Sequence, residues 1–246
     1  MTNLFKKHYK KLRKSYVRRT KDKFVHEVPN LGKLLLNAQD SQGRDIYAGN
    51  LEEHEDRAIF QNYLANNTVD VFLDIGANFG LYTLIASQYK IDEMHAFEPN
   101  SSAYNQLCGN LFLNNLSGRV QPWKYAVSDK KGTTTLYIDP SATEVSTLSP
   151  ENMPDRWEYS NKTSCKTTTI DLELDIKNKA IFAKIDVEGH EEKALIGMKT
   201  LLQENKVRLM IEILDNHDRI LSILNNWGYK LLCRSETNFH LENQTT

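Results

Sequence analysis

The sequence lacks the marks of several protein classes. No apolar run approaches the ~18 residues that a bilayer span requires, and the amino-terminal stretch has no apolar signal core. A cytoplasmic protein is the expectation from both. Cys108, Cys165 and Cys233 lie far apart, without a CxxC pair or a cysteine–histidine cluster at zinc spacing. Neither a disulfide framework nor a structural zinc site is therefore expected. No G-x-G-x-x-G follows a predicted strand, which argues against a dinucleotide pyrophosphate. Internal repeats and low-complexity tracts are also missing. What is present is globular: 246 residues, 40% hydrophobic and 26% charged, with a mean hydropathy of −0.55.

The formal net charge of −1 conceals a strong asymmetry. Residues 1–25 carry ten of the 31 Lys/Arg and one of the 32 acids, leaving a body of net charge −10. In this basic arm Phe5, Tyr9, Leu12 and Tyr16 recur at spacings of four, three and four, one apolar stripe on a cationic helix. Such a helix has three outlets: packing its stripe on its own domain, lying on an anionic membrane surface, or meeting a polyanion. We divide the chain into this arm, 1–25, and a single domain, 26–246.

The domain predicts an α/β fold. “GKLLLNAQDSQGRDIYAGN” alternates like a hairpin turning at Ser41-Gln42-Gly43. “LEEHEDRAIFQNYLANN” reads as a helix. Apolar strands and helices of ten to fifteen residues then alternate to “YKLLCR”, which means βαβ units and a parallel sheet. The pattern breaks between Thr133 and Thr169, a Thr/Ser-rich segment with three prolines. It reads as antiparallel strands inserted on the substrate side of the sheet. Its Tyr137, Trp157 and Tyr159 are open to two readings, packing or stacking on a sugar.

Chemistry concentrates at the ends of the predicted strands. “VDVFLDIGANFG” ends its strand in Asp74 and turns through Gly76, Ala77, Asn78 and Gly80. Asparagine tolerates positive φ, so Asn78 can bend the loop as a glycine would. A carboxylate here repels a diphosphate but suits a cationic, amino-acid-like ligand, and S-adenosyl-L-methionine carries both an ammonium and a sulfonium. Glu98, ending “MHAFE”, is placed to accept hydrogen bonds from a ribose diol. Ser128 and Asp129 follow the third strand, where an adenine edge would lie.

The densest cluster is “KIDVEGHEE”. Alternation sends Lys184, Asp186 and Glu188 to one side if the extended conformation persists that far. Glu191 and Glu192 read as an acidic first turn complementing a helix dipole. His190 is either a general base, its ordinary pKa lying near neutrality, or a helix cap. Glu212 sits in a buried-strand pattern, so it must face the crevice or pair with a base such as Lys184. A divalent ion across Asp186, Glu188 and Glu212 could do similar work, but nothing in the spacing demands a metal.

In order, “FLDIGANFGLYTL”, “HAFEPN”, “YAVSDKKG”, “STLS”, “TIDLEL” and “KIDVEGHEEKALIGM” resemble the FkbM family of S-adenosylmethionine-dependent methyltransferases, over roughly residues 50–230. The resemblance implies a class I methyltransferase fold: a Rossmann-like, seven-stranded, mostly parallel sheet with helices on both faces and one reversed strand near the C-terminal end. It implies methylation of an oxygen, commonly a hydroxyl of a sugar or polyketide. By the same likeness Asp74, Gly76, Ala77, Asn78 and Gly80 would line the methionine part of the donor, Glu98 the ribose, and Ser128 and Asp129 the adenine. Lys184, Asp186, Glu188 and His190 are the expected catalytic group. His190 departs from the small residue common at its position, and the basic arm lies outside the family pattern. The expected partner is a small molecule or glycan, with an anionic membrane surface open to residues 1–25. An RNA methyltransferase using the arm, or a non-catalytic donor-binding scaffold, are the rivals. The first is disfavoured because no D/N-P-P-Y tetrad ends the fourth strand.

Overall fold

A computed structural model describes residues 3–51, 55–139, 142–154 and 159–243. Trp157, offered above as a stacking residue, lies outside them. Helix α1 (Asn3–Thr20) precedes a hairpin of β1 (Lys23–Val28) and β2 (Gly32–Asn37). Helices α2 (Ser41–Tyr47) and α3 (Glu55–Asn66) follow. The alternating part runs β3 (Val71–Ile75), α4 (Leu81–Ala86), β4 (Glu93–Phe97), α5 (Ser101–Leu113), β5 (Val120–Trp123) and β6 (Ala126–Val127). Strands β7 (Gly132–Asp139), β8 (Ala142–Thr147) and β9 (Asn161–Thr168) form the insertion. The chain closes with α6 (Ile170–Glu173), β10 (Ala180–Ile185), α7 (Glu191–Ile196), α8 (Lys199–Glu204), β11 (Lys206–Glu212), α9 (His217–Asn226), β12 (Tyr229–Ser235) and β13 (Asn238–Asn243).

The main sheet has seven strands in the order β12-β13-β11-β10-β3-β4-β5. Only β13 runs against its neighbours, so this is the mostly parallel sheet with one reversed strand that class I methyltransferases share. Strand β3 is buried along its whole length, as a central strand covered on both faces must be. Its alternation divides the core. Val71, Leu73 and Ile75 belong to one apolar cluster, and Phe72 to the other, with Phe60 and Phe182. The Phe60 and Phe182 rings meet edge-on at 4.9 Å. Burying each such ring is worth about 2–3 kcal/mol.

Parallel pairing sets Lys184 beside Asp74, so two charged groups enter the core together on the Phe72 face. The insertion makes a separate four-stranded sheet, β6-β9-β7-β8, at the carboxyl ends of the main strands.

The predicted turn at Ser41-Gln42-Gly43 is corrected. The hairpin turns earlier, through Asn30 (φ 61) and Gly32 (φ 108), and Ser41–Tyr47 is helical. Gly43 serves helix packing instead: a Cβ there would lie 2.3 Å from the Asn37 carbonyl oxygen. The alternation that suggested a longer hairpin belongs to β2 alone, where Leu34 and Leu36 are wholly buried.

Candidate active site at the carboxyl ends of the strands

The loop after β3 is held by its own backbone. Gly76 and Ala77 both donate their N–H to the Phe97 carbonyl, at 2.9 Å. Gly76 (φ 79) takes a conformation that disfavours a side chain. An added Cβ would also lie 1.7 Å from the Asp186 carbonyl oxygen, so the loop presses directly on the tip of β10. Asn78 (φ 51) carries the left-handed bend. Gly80 (φ 89) starts α4 packed against Leu107.

Glu98, 6% exposed, ends β4 beside this loop. One carboxylate oxygen accepts from the Asn78 N–H (2.8 Å) and the other from the Asn100 N–H (2.7 Å). Burial pushes its pKa up to about 7 against the pull of those two donors. Gly76, Asn78, Glu98 and Asn100 line a crevice of about 270 Å³, closed on its apolar side by Phe97, Tyr125, Val127, Leu136 and Leu148. Asp186, Glu188 and His190 also line it.

Asp74 does not reach this crevice. It is fully buried, accepts the Thr83 hydroxyl at 2.6 Å and lies 3.7 Å from the Lys184 ammonium. Burial drives its pKa up, opposed by Lys184. Lys184 donates to the Gly76 carbonyl (3.2 Å) and to Asp186 (3.1 Å). Burial alone would lower the Lys184 pKa; Asp186 and Asp74 more than reverse this and hold the ammonium charged. Asp74 thus grips the lysine that fixes both the loop and Asp186.

Asp186, Glu188 and Glu212 can bring carboxylate oxygens within 4.8 Å of one another. Burial, then Asp186 and Glu212, raises Glu188 to about 9. Asp186, then burial, raises Glu212 to about 8. Burial and the neighbouring carboxylates thus favour the protonated form of both glutamates. Glu212 pairs with Thr237 at 2.7 Å, whereas Lys184 makes its ion pairs with Asp186 and Asp74.

His190 is occupied at both ring nitrogens, by the Ser128 hydroxyl at 3.0 Å and the Ser149 hydroxyl at 2.9 Å. Burial, then Lys193, lowers its pKa to about 4. A neutral imidazole with both nitrogens engaged is a strut between β6 and the insertion. The same segment takes hold of the neighbouring turn: Thr147 donates to the Glu188 carbonyl at 2.5 Å and Asn152 to that of Gly189 at 2.8 Å. Ser128 is therefore turned to His190, and Asp129 is exposed. Neither is among the residues that line the crevice.

A second cavity, of about 310 Å³, meets the first at Ser41, Gln42 and Asp186. Its wall is polar: Asn50, Asp56, Lys184, Glu212 and Asn238, with Tyr82 and Arg57. Most of these residues were not legible as site residues. Asn100 had a readable signal, since “PNSS” is a helix N-cap pattern, and its side chain does accept from the Ser102 N–H.

Residues 74–231 match the family model for the methyltransferase FkbM domain. The chain is 30% identical to the hexuronic acid methyltransferase AglP of Haloferax volcanii, over 54% of this chain and 52% of that protein. It spans about half the length of that relative. It is 24% identical to the 31-O-demethyl-FK506 methyltransferase FkbM of Streptomyces tacrolimicus, over 86% of this chain and 91% of that one. A solved methyltransferase FkbM from Methylobacillus flagellatus superposes with a TM-score of 0.49 at 17% identity, over 81% of this chain and 54% of that chain.

Proposed function

The chain belongs to the FkbM methyltransferase family, whose domain spans residues 74–231, and from that premise we propose that it is an S-adenosyl-L-methionine-dependent O-methyltransferase acting on a hydroxyl of a glycan or small molecule, a sugar above all. The observation that carries this reading is the meeting of two cavities at one carboxylate. Asp186 borders both the crevice built on Glu98 and the polar cavity behind it.

The residues of the first crevice fit the donor. Both Glu98 oxygens are oriented by backbone N–H groups, and each retains a lone pair for one hydroxyl of a ribose diol. Tyr125, Val127, Leu136 and Leu148 offer an apolar wall to a flat base. Gly76, Ala77 and Asn78 would hold the methionine end. S-adenosyl-L-methionine, when bound, supplies an electrophilic methyl carbon. What falls to the protein is to orient the acceptor and remove its proton.

Asp186 is assigned as proton acceptor, since of the three carboxylates it borders both cavities, whereas Glu188 lines only the first and Glu212 only the second. Lys184 is its positioning partner at 3.1 Å. Protonated Glu212 and Glu188 offer O–H donors to an acceptor hydroxyl. His190 holds the wall rather than the proton. The second cavity, with amides and carboxyls from Asn50, Asp56, Glu212 and Asn238, matches the many hydroxyls of a carbohydrate. Its acids would repel a phosphodiester, which speaks against RNA. The relative named for the 31-O position of FK506 agrees with oxygen as the acceptor atom, and the one named for hexuronic acid with a sugar acceptor.

The test is calorimetric titration of the donor into the wild type and into Glu98→Ala, then methyl transfer to a panel of hydroxylated glycans by the wild type and Asp186→Asn. Micromolar binding lost in the first variant and turnover lost in the second support the reading. A well-folded wild type that binds no donor would overturn it. Donor binding with turnover undiminished in Asp186→Asn would remove Asp186 from its role, and binding without turnover on any acceptor would favour the scaffold.

A further inference from the structure

We propose that α1 docks the protein on an anionic lipid bilayer, its aromatic–leucine stripe in the lipid boundary and the long basic side chains of its other face reaching the headgroup phosphates. The stripe expected from the sequence is not packed on the domain. Phe5, Tyr9, Leu12 and Tyr16 are 69%, 63%, 57% and 59% exposed. A contiguous apolar line of this kind on a soluble surface marks a contact site.

The helix is nevertheless fixed to the body by another side. Val17 is 1% exposed, the Arg13 guanidinium stacks 4.4 Å over the Tyr47 ring, and Lys14 pairs with Asp45 of α2. The stripe is therefore presented by a docked helix.

Charge names the occupant. Lys11, Lys14, Arg18 and Arg19 line an open groove with Gln39 and Arg44. Asp45 neutralises Lys14, while Lys11, Arg18 and Arg19 make no ion pair among the described residues. A polyanion in water would satisfy these cations and leave Phe5 and Leu12 in water. A bilayer of anionic lipid satisfies both, because apolar side chains enter the acyl boundary and long cationic ones reach the phosphates. Among the described residues no helix is long and apolar enough to cross a membrane, so the association is in the plane of the surface.

The experiment is co-sedimentation of the full chain with vesicles of phosphatidylcholine alone or mixed with phosphatidylserine. The wild type is compared with Phe5→Ser/Leu12→Ser and with Lys11→Glu/Arg18→Glu. All four positions are at the surface of α1, so both variants should keep the wild-type melting temperature. Expected are binding to the mixed vesicles only, weakening with salt, and a loss of about thirtyfold or more in the charge variant. The stripe variant should lose comparably with its charge unchanged. Equal binding to both vesicle types, binding to neither, or undiminished binding by the stripe variant would overturn the proposal. So would tight binding of a homopolymeric RNA, insensitive to the stripe variant, in a protein that ignores vesicles; the arm would then belong to a nucleic acid.

Discussion

Replacing Lys184 by methionine isolates the electrostatics on which the site rests. Methionine keeps the length and the packing under Tyr82 but removes the one cation between Asp74 and Asp186. Asp186 can turn its charge toward the crevice. Asp74 is fully buried, and one of its oxygens already has no hydrogen-bond partner. An uncompensated buried charge costs about 3–5 kcal/mol. Neutralisation sets a ceiling on that cost: protonating a carboxyl of ordinary pKa ~4 at pH 7 takes three units at about 1.4 kcal/mol each, or about 4 kcal/mol. The variant should therefore lose about 3–4 kcal/mol at pH 7. Burial already raises the folded pKa of Asp74 in the wild type; without Lys184 it rises further, so the folded variant retains a proton that the unfolded state releases. Its stability then falls as pH rises above ~4, and the deficit against wild type shrinks by about 1.4 kcal/mol for each unit of acidification. Urea unfolding at pH 5, 6 and 7 measures this, and Asp74→Asn in the same background should restore most of the loss at pH 7. A deficit independent of pH, unrelieved by Asp74→Asn, would mean that Asp74 carries its proton in the wild type as well and that the ion pair does not hold the site.

Glu188→Gln should stabilise the protein increasingly with pH. With a folded pKa of about 9 against an ordinary 4.5, the folded glutamate keeps a proton that the unfolded chain gives up between those values. The wild type loses stability across that window by up to about 1.4 kcal/mol per unit, and a flat difference between pH 5.5 and 8 in urea unfolding would refute this. His190→Phe leaves the Ser149 hydroxyl without its partner, while Ser128 keeps Asp129 at 3.1 Å, at about 1–2 kcal/mol in all. Because the folded imidazole is depressed to about 4 from 6.5, its contribution is present above pH 6.5 and lost as pH falls toward 4; the variant should show a shallower acid limb over that range. Donor affinity should weaken below pH 7, by about tenfold per unit, because Glu98, raised to about 7, must ionise to accept the ribose hydroxyls. Calorimetry at pH 5.5, 6.5 and 7.5 checks it, and Glu98→Gln should abolish the dependence.

Local patterns were legible wherever one short stretch carries its own physics. The glycines and the asparagine after β3 and the acid ending β4 each follow from backbone geometry within a few residues, whereas the alternation expected through Glu188 stops with β10 at Ile185, Glu188 taking a left-handed φ of 49. The hairpin turn was misplaced because Gly43 answers to a contact with Asn37, a constraint no local pattern expresses. Asp74 and His190 show the same limit. An acid at a strand tip reads as a ligand-facing group and a histidine after a glycine as a base or a helix cap; His190 does take the N-cap position of α7, without a side-chain cap bond. Their neighbours, Lys184 and Thr83 for one and Ser128 and Ser149 for the other, arrive from distant segments.

The sequence by itself determined the alternation of strands and helices, the bend at Gly76–Gly80 and the amphipathic character of residues 1–25, since periodicity and φ preference are properties of a single stretch of chain. Tertiary structure alone decided which of these groups face a cavity and which are struts. It set Lys184 beside Asp74 through strand register, locked His190 between two hydroxyls, and joined two cavities at Asp186. It also left the stripe of α1 in solvent by packing the helix through Val17. Charge and burial depend on what surrounds a group in three dimensions, and those surroundings come from residues that can lie 182 positions away, as Asp56 and Asn238 do.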